Sequence, residues 1–459
     1  MKQRKLKTSP EEILGAPILK TMLRISLPAM IAFTFHTAFN FVDRIFVSRL
    51  GEIELGAIGM AFTLQSILLA IGAGMGIGTS SLISRLIGAD RREDASSAAG
   101  QVFLIIGVLG VFFAAAGPWL SRGLFSLIGA SEEMTPFIHS YTDILLAFSV
   151  FQFAAMIGNG ILRGEGNTVT PMQVMIVGNL INLILDPFLI FGWGPFPALG
   201  VRGAAIATVA GRVASTLFLL YSLFKRDNIV KPRLNLRQIA WNHLRGIFGV
   251  GGPTLLANLA NSLGLSLIYI LLKPYGDAVK ATFTIGFTYQ QIAFLPVLGV
   301  AQGVLTMTGQ NWGARKTDRI RRIVLIATGL TVLILAVISS IIAAGAGGFI
   351  SIFTDNPEIV SIGRTMLLIL CLGFPFMAVS RVLVSVFHGL GMGMRSLILT
   401  LLSVIVIVLP MALLGARLFD LPGLWGGMTL GHLTSGVVGF LWVTMVSRRL
   451  RPDRELTDG

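Results

Sequence analysis

The chain has 459 residues, of which 54% are hydrophobic and only 13% are charged, and its formal net charge is +14. So apolar a composition excludes an ordinary soluble domain and predicts an all-α polytopic membrane protein. The single cysteine, Cys371, excludes an intramolecular disulfide and a cysteine metal cluster. The basic start of the chain lacks the apolar core of a secretory signal, so we expect a retained, cytoplasmic N-terminus.

Twelve segments are apolar over about 20 residues, the length that crosses roughly 30 Å of hydrocarbon. They are predicted as transmembrane helices near 24–48, 54–84, 97–119, 136–162, 169–193, 200–224, 245–272, 280–310, 320–345, 360–388, 395–417 and 422–446. Most of the 36 lysines and arginines fall before the first segment, in the even-numbered loops or after the last segment. By the positive-inside rule, both termini are expected in the cytoplasm, in a multi-pass inner-membrane protein. The basic runs therefore indicate topology rather than a nucleic-acid partner.

The two halves of the chain resemble each other at an offset of about 225 residues. Pro28 in SLPAMIAF corresponds to Pro253 in GGPTLLAN, and Gly164 to Gly389. Six segments per half predict a parallel repeat, with substrate between two lobes that move to alternate its access. The predicted division is an N-lobe at 1–224, a cytoplasmic linker at 225–243 and a C-lobe at 244–459.

The fifth segment carries an acid in an otherwise apolar stretch. Asn179, Asn182 and Asp186 lie at i, i+3 and i+7, which places them on one helical face. An Asp at the centre of a membrane helix costs roughly 3 kcal/mol or more, so the default interpretation is a functional site. Adding 225 to these positions gives apolar residues, so the cluster belongs to the first half alone.

The first segment offers a partner face. His36, Asn40 and Asp43 lie at i, i+4 and i+7, and Asp43 and Asp186 are expected at a similar depth in the membrane. Two carboxylates in an apolar cavity cannot both stay ionised cheaply, so one should bind a proton near physiological pH. A small cation such as sodium could serve instead, with oxygens from the asparagines and Thr208. The alternative is that Asp43 pairs only with the neighbouring Arg44.

Other residues within the segments have less specific patterns. Pro28 removes a helical hydrogen bond and is predicted either to act as a hinge or simply to pack as its repeat Pro253 does. Arg212 and Arg381 are expected to form hydrogen bonds between helices. Candidate lining residues of an adaptable substrate cavity are His36, Phe33, Gln65, Phe153, Met156, Asn159, Met172 and Gln173.

Several stretches together resemble the multidrug and toxic compound extrusion (MATE) family, in its DinF-type prokaryotic branch. They are LPAMIAFTFHTAFNFVDRIFVSRLG, SRLIGADRRED, ILRGEGNT, and NLINLILDPFLIFG followed by GVRGAAIAT. The resemblance covers essentially the whole chain. It implies V-shaped lobes and export of cationic or amphipathic drugs by antiport, without a cofactor or catalytic residues. It also implies that Asp43 and Asp186 are the coupling acids, with Asn182 and Thr208 beside them and Pro28 at the helix bend. Asn179 and Asn40 join the candidate coupling-ion site because they share the helical faces of the two acids.

The resemblance leaves two points open. The coupling ion is expected to be the proton, while sodium at the same residues is not excluded. A flippase of a lipid-linked precursor from the same superfamily is the alternative function.

We expect a monomer in the bilayer, and no other metal site is predicted because no metal-ligand spacing accompanies the histidines.

Overall fold

A computed structural model describes residues 8–224, 228–233 and 239–449, except the side chains of Arg44, Ser447 and Arg449. Regular structure in these ranges is entirely helical. The predicted linker 225–243 and the basic clusters within it lie partly outside the described residues. The first half contains α1 (Pro10–Gly15), α2 (Ile18–Ser48), α3 (Glu52–Gly88), α4 (Arg92–Leu127), α5 (Thr135–Ala147), α6 (Ser149–Glu165), α7 (Val169–Phe191) and α8 (Val201–Leu223).

The second half repeats the long helices. It contains α9 (Trp241–Leu271), a 3-10 turn (Lys273–Tyr275), α10 (Asp277–Gly313), α11 (Thr317–Ala344), α12 (Ala346–Ser351), α13 (Pro357–Gly389), α14 (Gly393–Leu401), a π-helical segment (Leu402–Val408) and α15 (Leu409–Arg449). α2 and α9 each have 31 residues, and α3 and α10 each have 37. The internal repeat seen in the sequence is therefore also present in the helix lengths.

The predicted all-α membrane architecture is confirmed, because ten described helices are long and apolar enough to cross a membrane. The number is up to eleven when α5 and α6, which meet at a bend of 53°, count as one span. The predicted segments 395–417 and 422–446 fall in the single stretch Gly393–Val446. Non-helical backbone at Phe419 and Asp420 breaks that stretch between them. With α5 and α6 counted as one span and the broken stretch counted as two, the described helices correspond to the twelve predicted segments.

The contacts divide the chain into two compact units. The first is Ile31–Gly251, and the second combines Thr8–Met30 with Gly252–Gly459. The sequence placed all of 1–224 in one lobe, whereas the first part of α2 packs with the second unit. There Ile18, Met22 and Ile25 share a hydrophobic core with residues of α10. The assignment of the predicted ranges to lobes stays a prediction.

Glycines allow helices in the first unit to approach at backbone distance. A Cβ on Gly76 of α3 would lie 2.8 Å from the carbonyl oxygen of Met156 on α6. A Cβ on Gly160 of α6 would collide with the carbonyl oxygen of Gly76. Small residues at such crossings are typical of membrane helix packing. The glycine run at 72–80 is therefore part of a helix contact.

We expect Gly160→Ala to lower the melting temperature of the purified protein in detergent, because the added methyl group forces α3 and α6 apart. Overpacking of this kind costs about 1–3 kcal/mol. The matched control is Gly107→Ala in α4, where no atom lies within 4 Å of the added Cβ. Equal melting temperatures for both variants would contradict a close contact between α3 and α6.

Candidate functional site

The two predicted acids meet inside the first unit. Asp186 of α7 is fully buried, whereas Asp43 of α2 is half-buried. The two carboxyl groups are in hydrogen-bond contact. An ionised carboxylate can only accept hydrogen bonds, so a hydrogen bond between these groups requires a proton on one of them. The arrangement therefore has a built-in place for one proton.

Only one of the two oxygens of the Asp186 carboxyl group accepts a hydrogen bond from a described N–H or O–H group. Asn182, one turn earlier on α7, donates from Nδ2 to Asp186 Oδ1 at 3.2 Å. Among the described N–H and O–H groups, none donates to Asp186 Oδ2, which is buried. A buried carboxylate oxygen without a donor is costly, so the site favours an added proton or cation at this position.

A tyrosine links the acids to two other helices. Tyr141 of α5 accepts a hydrogen bond at its hydroxyl from Gln65 Nε2 of α3, at 2.8 Å. The same hydroxyl is in hydrogen-bond contact with Thr208 of α8, and it lies close enough to Asp43 and Arg212 for electrostatic interaction. The Tyr141 hydroxyl thus lies within electrostatic range of both a negative and a positive side chain.

Arg212 of α8 adds a positive charge to this region. Its Nη1 is buried and has no hydrogen-bond partner among the described residues. From its position in the sequence we expected Arg212 to form hydrogen bonds between helices, whereas Tyr141 was not among the candidate site residues. The cause is that Tyr141 carries no charge and comes from α5, so only the tertiary arrangement shows its role.

The structure places the other predicted site residues at varying distances from the acid pair. Asn179 Nδ2 is 3.4 Å from His36 Nδ1, which joins the predicted faces of α2 and α7 a second time. The Asn40 side chain is exposed, and Thr208 also donates to the carbonyl oxygen of Ala204 at 2.9 Å. The Arg44 side chain lies outside the described part of the chain, so its pairing with Asp43 stays untested.

The residues predicted to line a substrate cavity do not form one group. Phe153 is fully buried in the hydrophobic core, with its ring 5.6 Å from that of Phe113. Met156 fills the space left by Gly72, and Gln65 is engaged by Tyr141. Asn159 is buried, while Phe33, Met172 and Gln173 are half-buried. Their contact with a substrate stays a prediction.

A metal site with several strong ligands is not apparent. In the described ranges, no group of three or more His, Cys, Asp or Glu side chains could hold a metal ion. What the acid pair can do is bind and release one proton, or bind one small cation with the help of Asn182 and Thr208.

Comparison with known proteins gives consistent matches over nearly the whole chain. The MatE family model matches residues 28–188 and 253–414, and the two matched stretches start 225 residues apart, at Pro28 and Pro253. A protein named "FAD transporter" from Shewanella oneidensis is 28% identical over 428 residues, which is 93% of this chain and 94% of its own. A "Probable multidrug resistance protein NorM" from Thermotoga maritima is 28% identical over 415 residues, or 90% and 89% of the two chains.

A solved structure described as the outward-facing conformation of a multidrug resistance MATE family transporter is similar throughout. It superposes with a TM-score of 0.90 at 30% sequence identity, covering 96% of this chain and 99% of that chain.

The geometry of the acid pair predicts which changes the fold tolerates. We expect Asp186→Asn to shift the melting temperature in detergent by no more than about 4 °C, or ~1 kcal/mol, because the amide keeps the volume and can still bond to Asn182 and Asp43. Asn182→Leu should lower the melting temperature more, since it leaves Asp186 Oδ1 without its donor, a loss of about 1–3 kcal/mol. The reverse order of stabilities would show that Asp186 itself holds the fold together.

Proposed function

Since the chain belongs to the multidrug and toxic compound extrusion (MatE) family of membrane transporters, we propose that it is a secondary active antiporter exporting cationic or amphipathic organic compounds in exchange for protons. Members of this family are transporters rather than enzymes. The observation that carries the proton assignment is the contact between the carboxyl groups of Asp43 and Asp186. The proposed setting is the inner membrane, with both termini in the cytoplasm.

The proposed cycle follows from the charge of the acid pair. A proton arriving from the more acidic outside neutralises the pair, which weakens the attraction for a cationic compound, so the compound leaves. The neutral pair then returns toward the cytoplasmic side. Neutralisation spares the roughly 3 kcal/mol or more that a bare carboxylate costs at bilayer depth. On the cytoplasmic side the proton is released and the negative charge attracts the next cation.

Sodium is the competing ion. It takes several oxygen ligands, which Asp43, Asp186, Asn182 and Thr208 could supply. The proton is favoured because one proton shared by two adjacent carboxyl groups removes their mutual repulsion without further ligands, whereas sodium needs several oxygens around it.

A second candidate substrate class is the flavin nucleotides. The observation that favours it is the "FAD transporter" of Shewanella oneidensis, which matches 93% of this chain. Assays of export therefore include FAD beside a cationic dye such as ethidium.

The coupling ion is tested in proteoliposomes that hold wild type, Asp43→Asn or Asp186→Asn. We expect a pH gradient without sodium to drive ethidium transport by wild type, and each variant to lose at least about 90% of the rate while inserting normally. The reason is that each substitution removes the group that takes up the proton but almost no volume. Lys280→Gln in α10, which removes a half-buried charge paired with Asp277 far along the chain, serves as the matched control.

Each other outcome of this assay has a defined meaning. Transport that needs a sodium gradient and ignores the pH gradient would overturn the proton assignment. Full transport by both Asn variants would reject the site. Movement of a lipid-linked precursor with no movement of dye or FAD would establish a flippase instead.

Pro28 lies inside α2, and the helix continues across it from Ile18 to Ser48. We expect Pro28→Ala to reduce transport several-fold while leaving ethidium binding unchanged, because restoring the missing hydrogen bond stiffens the helix that carries Asp43. The repeat-related Pro253→Ala is the matched control, since α9 carries no acid within its span. Binding by equilibrium dialysis and transport in the same preparation separate the two effects, and equal transport by both variants and wild type would mean that Pro28 only packs.

A further inference from the structure

The second unit contains a cavity of about 280 Å³. Its walls come from α9, α10, α13, α14, the π-helical segment and α15. Much of the lining is apolar, and Phe283, Phe287, Met377 and Met428 belong to it. The volume lies just below the ~300–1,000 Å³ typical of small-molecule sites. A small organic molecule, or one end of a larger one, would fit.

One charged side chain, Arg381 of α13, lines this cavity. Over residues 8–224, 228–233 and 239–449, its guanidinium forms no ion pair and no hydrogen bond. The helices around the cavity do contain carboxylates, but these lie at helix ends or breaks, at Asp277, Glu358 and Asp420. Arg381 is half-buried, and a guanidinium partly withdrawn from water without a counter-ion is unfavourable. Arg is also the side chain best suited to a carboxylate or phosphate.

Other polar side chains of the cavity lining can donate hydrogen bonds. His432 of α15 also lines the cavity and lies within electrostatic range of Arg381. His388 lies within range as well, but it is occupied by Thr254 Oγ1, 3.1 Å from its Nε2. The lining hydroxyls of Ser380 and Ser403 are buried and have no partner among the described residues. Such hydroxyls can donate to an anionic oxygen.

One part of the cavity wall, which includes Ser403, has an unusual backbone. The π-helical segment Leu402–Val408 contributes Ser403, Val404 and Val408 to the lining. π-Helical turns are rare and are frequently found at functional sites. Gly264 of α9 lies directly against this segment, since a Cβ there would collide with the Val404 side chain. The cavity is thus shaped by specific local features on two of its sides.

We infer that this cavity binds the anionic group of a small amphipathic molecule. Arg381 supplies the positive charge, His432 and the hydroxyls of Ser380 and Ser403 supply further donors, and Phe283 and Phe287 contact the apolar part. The carboxylate or phosphate can belong to a free organic anion or to a lipid headgroup. The inference concerns binding in the second unit alone, and it does not rest on the proposed export function or on the acid pair.

The test uses the full-length protein, purified in a neutral detergent and freed of lipid, with a matched series of probes. These are 4-phenylbutyrate, 4-phenylbutanol and 4-phenylbutylamine, which share one apolar body and differ in head-group charge. By isothermal titration we expect the anion to bind at least tenfold more tightly than the alcohol, and the amine to bind most weakly. Arg381→Gln should weaken binding of the anion at least tenfold and leave the alcohol unchanged.

Two controls separate loss of the site from loss of the fold. Arg364→Gln removes the same charge from an exposed position of the same helix and should bind 4-phenylbutyrate as wild type does. Arg381→Lys keeps the charge and should retain binding better than Arg381→Gln. Equal affinity for all three probes, or anion binding that survives Arg381→Gln, would overturn the inference.

The source of the anion is identified by mass spectrometry of lipids that stay bound through purification. Anionic phospholipid that is retained by wild type and Arg364→Gln, lost from Arg381→Gln and displaced by 4-phenylbutyrate would support the site and identify a lipid headgroup as its ligand. Binding of 4-phenylbutyrate without such lipid would support a free organic anion.

Discussion

A carboxylate inside an apolar helix bundle must find its partners within the protein, because lipid supplies none. In the first unit this constraint is met by a contact between two acids, Asp43 on α2 and Asp186 on α7. If the two acids share one proton, the protonated carboxyl group can donate a hydrogen bond to the ionised one. A site that is stable only with a proton is also a site whose charge changes when the proton leaves.

Asn182 provides only part of what the Asp186 carboxyl group needs. Its amide donates to one oxygen of Asp186, and Oδ2 receives no donor from the described residues. Tyr141 interacts electrostatically with Asp43, and its hydroxyl accepts from Gln65 and contacts Thr208. A buried carboxylate oxygen without a donor favours an added proton or cation, which fits the proposed proton site.

The sequence was sufficient to predict the fold class and to single out two acids whose carboxyl groups are in contact. Apolar segments of membrane-spanning length have few alternatives, and a charge within one is rare enough to stand out. Apart from Asn182, the polar residues around the acids were harder to predict. Tyr141 is uncharged, and no periodicity connects α5 with the Gln65 that donates to it from α3. The first part of α2 gave no signal that it packs with the second unit, because Ile18, Met22 and Ile25 look the same whichever apolar surface covers them.

Because the two halves of the chain are repeats, the side chains at corresponding positions of the two units can be compared directly. The positions that correspond to Asn179 and Asp186 at an offset of 225 residues are Val404, inside the π-helical segment, and Met411. Conversely, Arg381 corresponds to Met156, an apolar residue packed against Gly72. The same architecture thus holds acids in one copy and a lone arginine in the other. The order of the long helices is shared, so apart from the π-helical segment the chemical difference comes from the side chains at these few positions. A buried acid can lose its charge by taking up a proton, whereas arginine stays protonated at any accessible pH. At these positions the described part of the second unit therefore has no equivalent of the proposed proton site, and the half-buried charge of Arg381 fits the anion that we infer for its cavity.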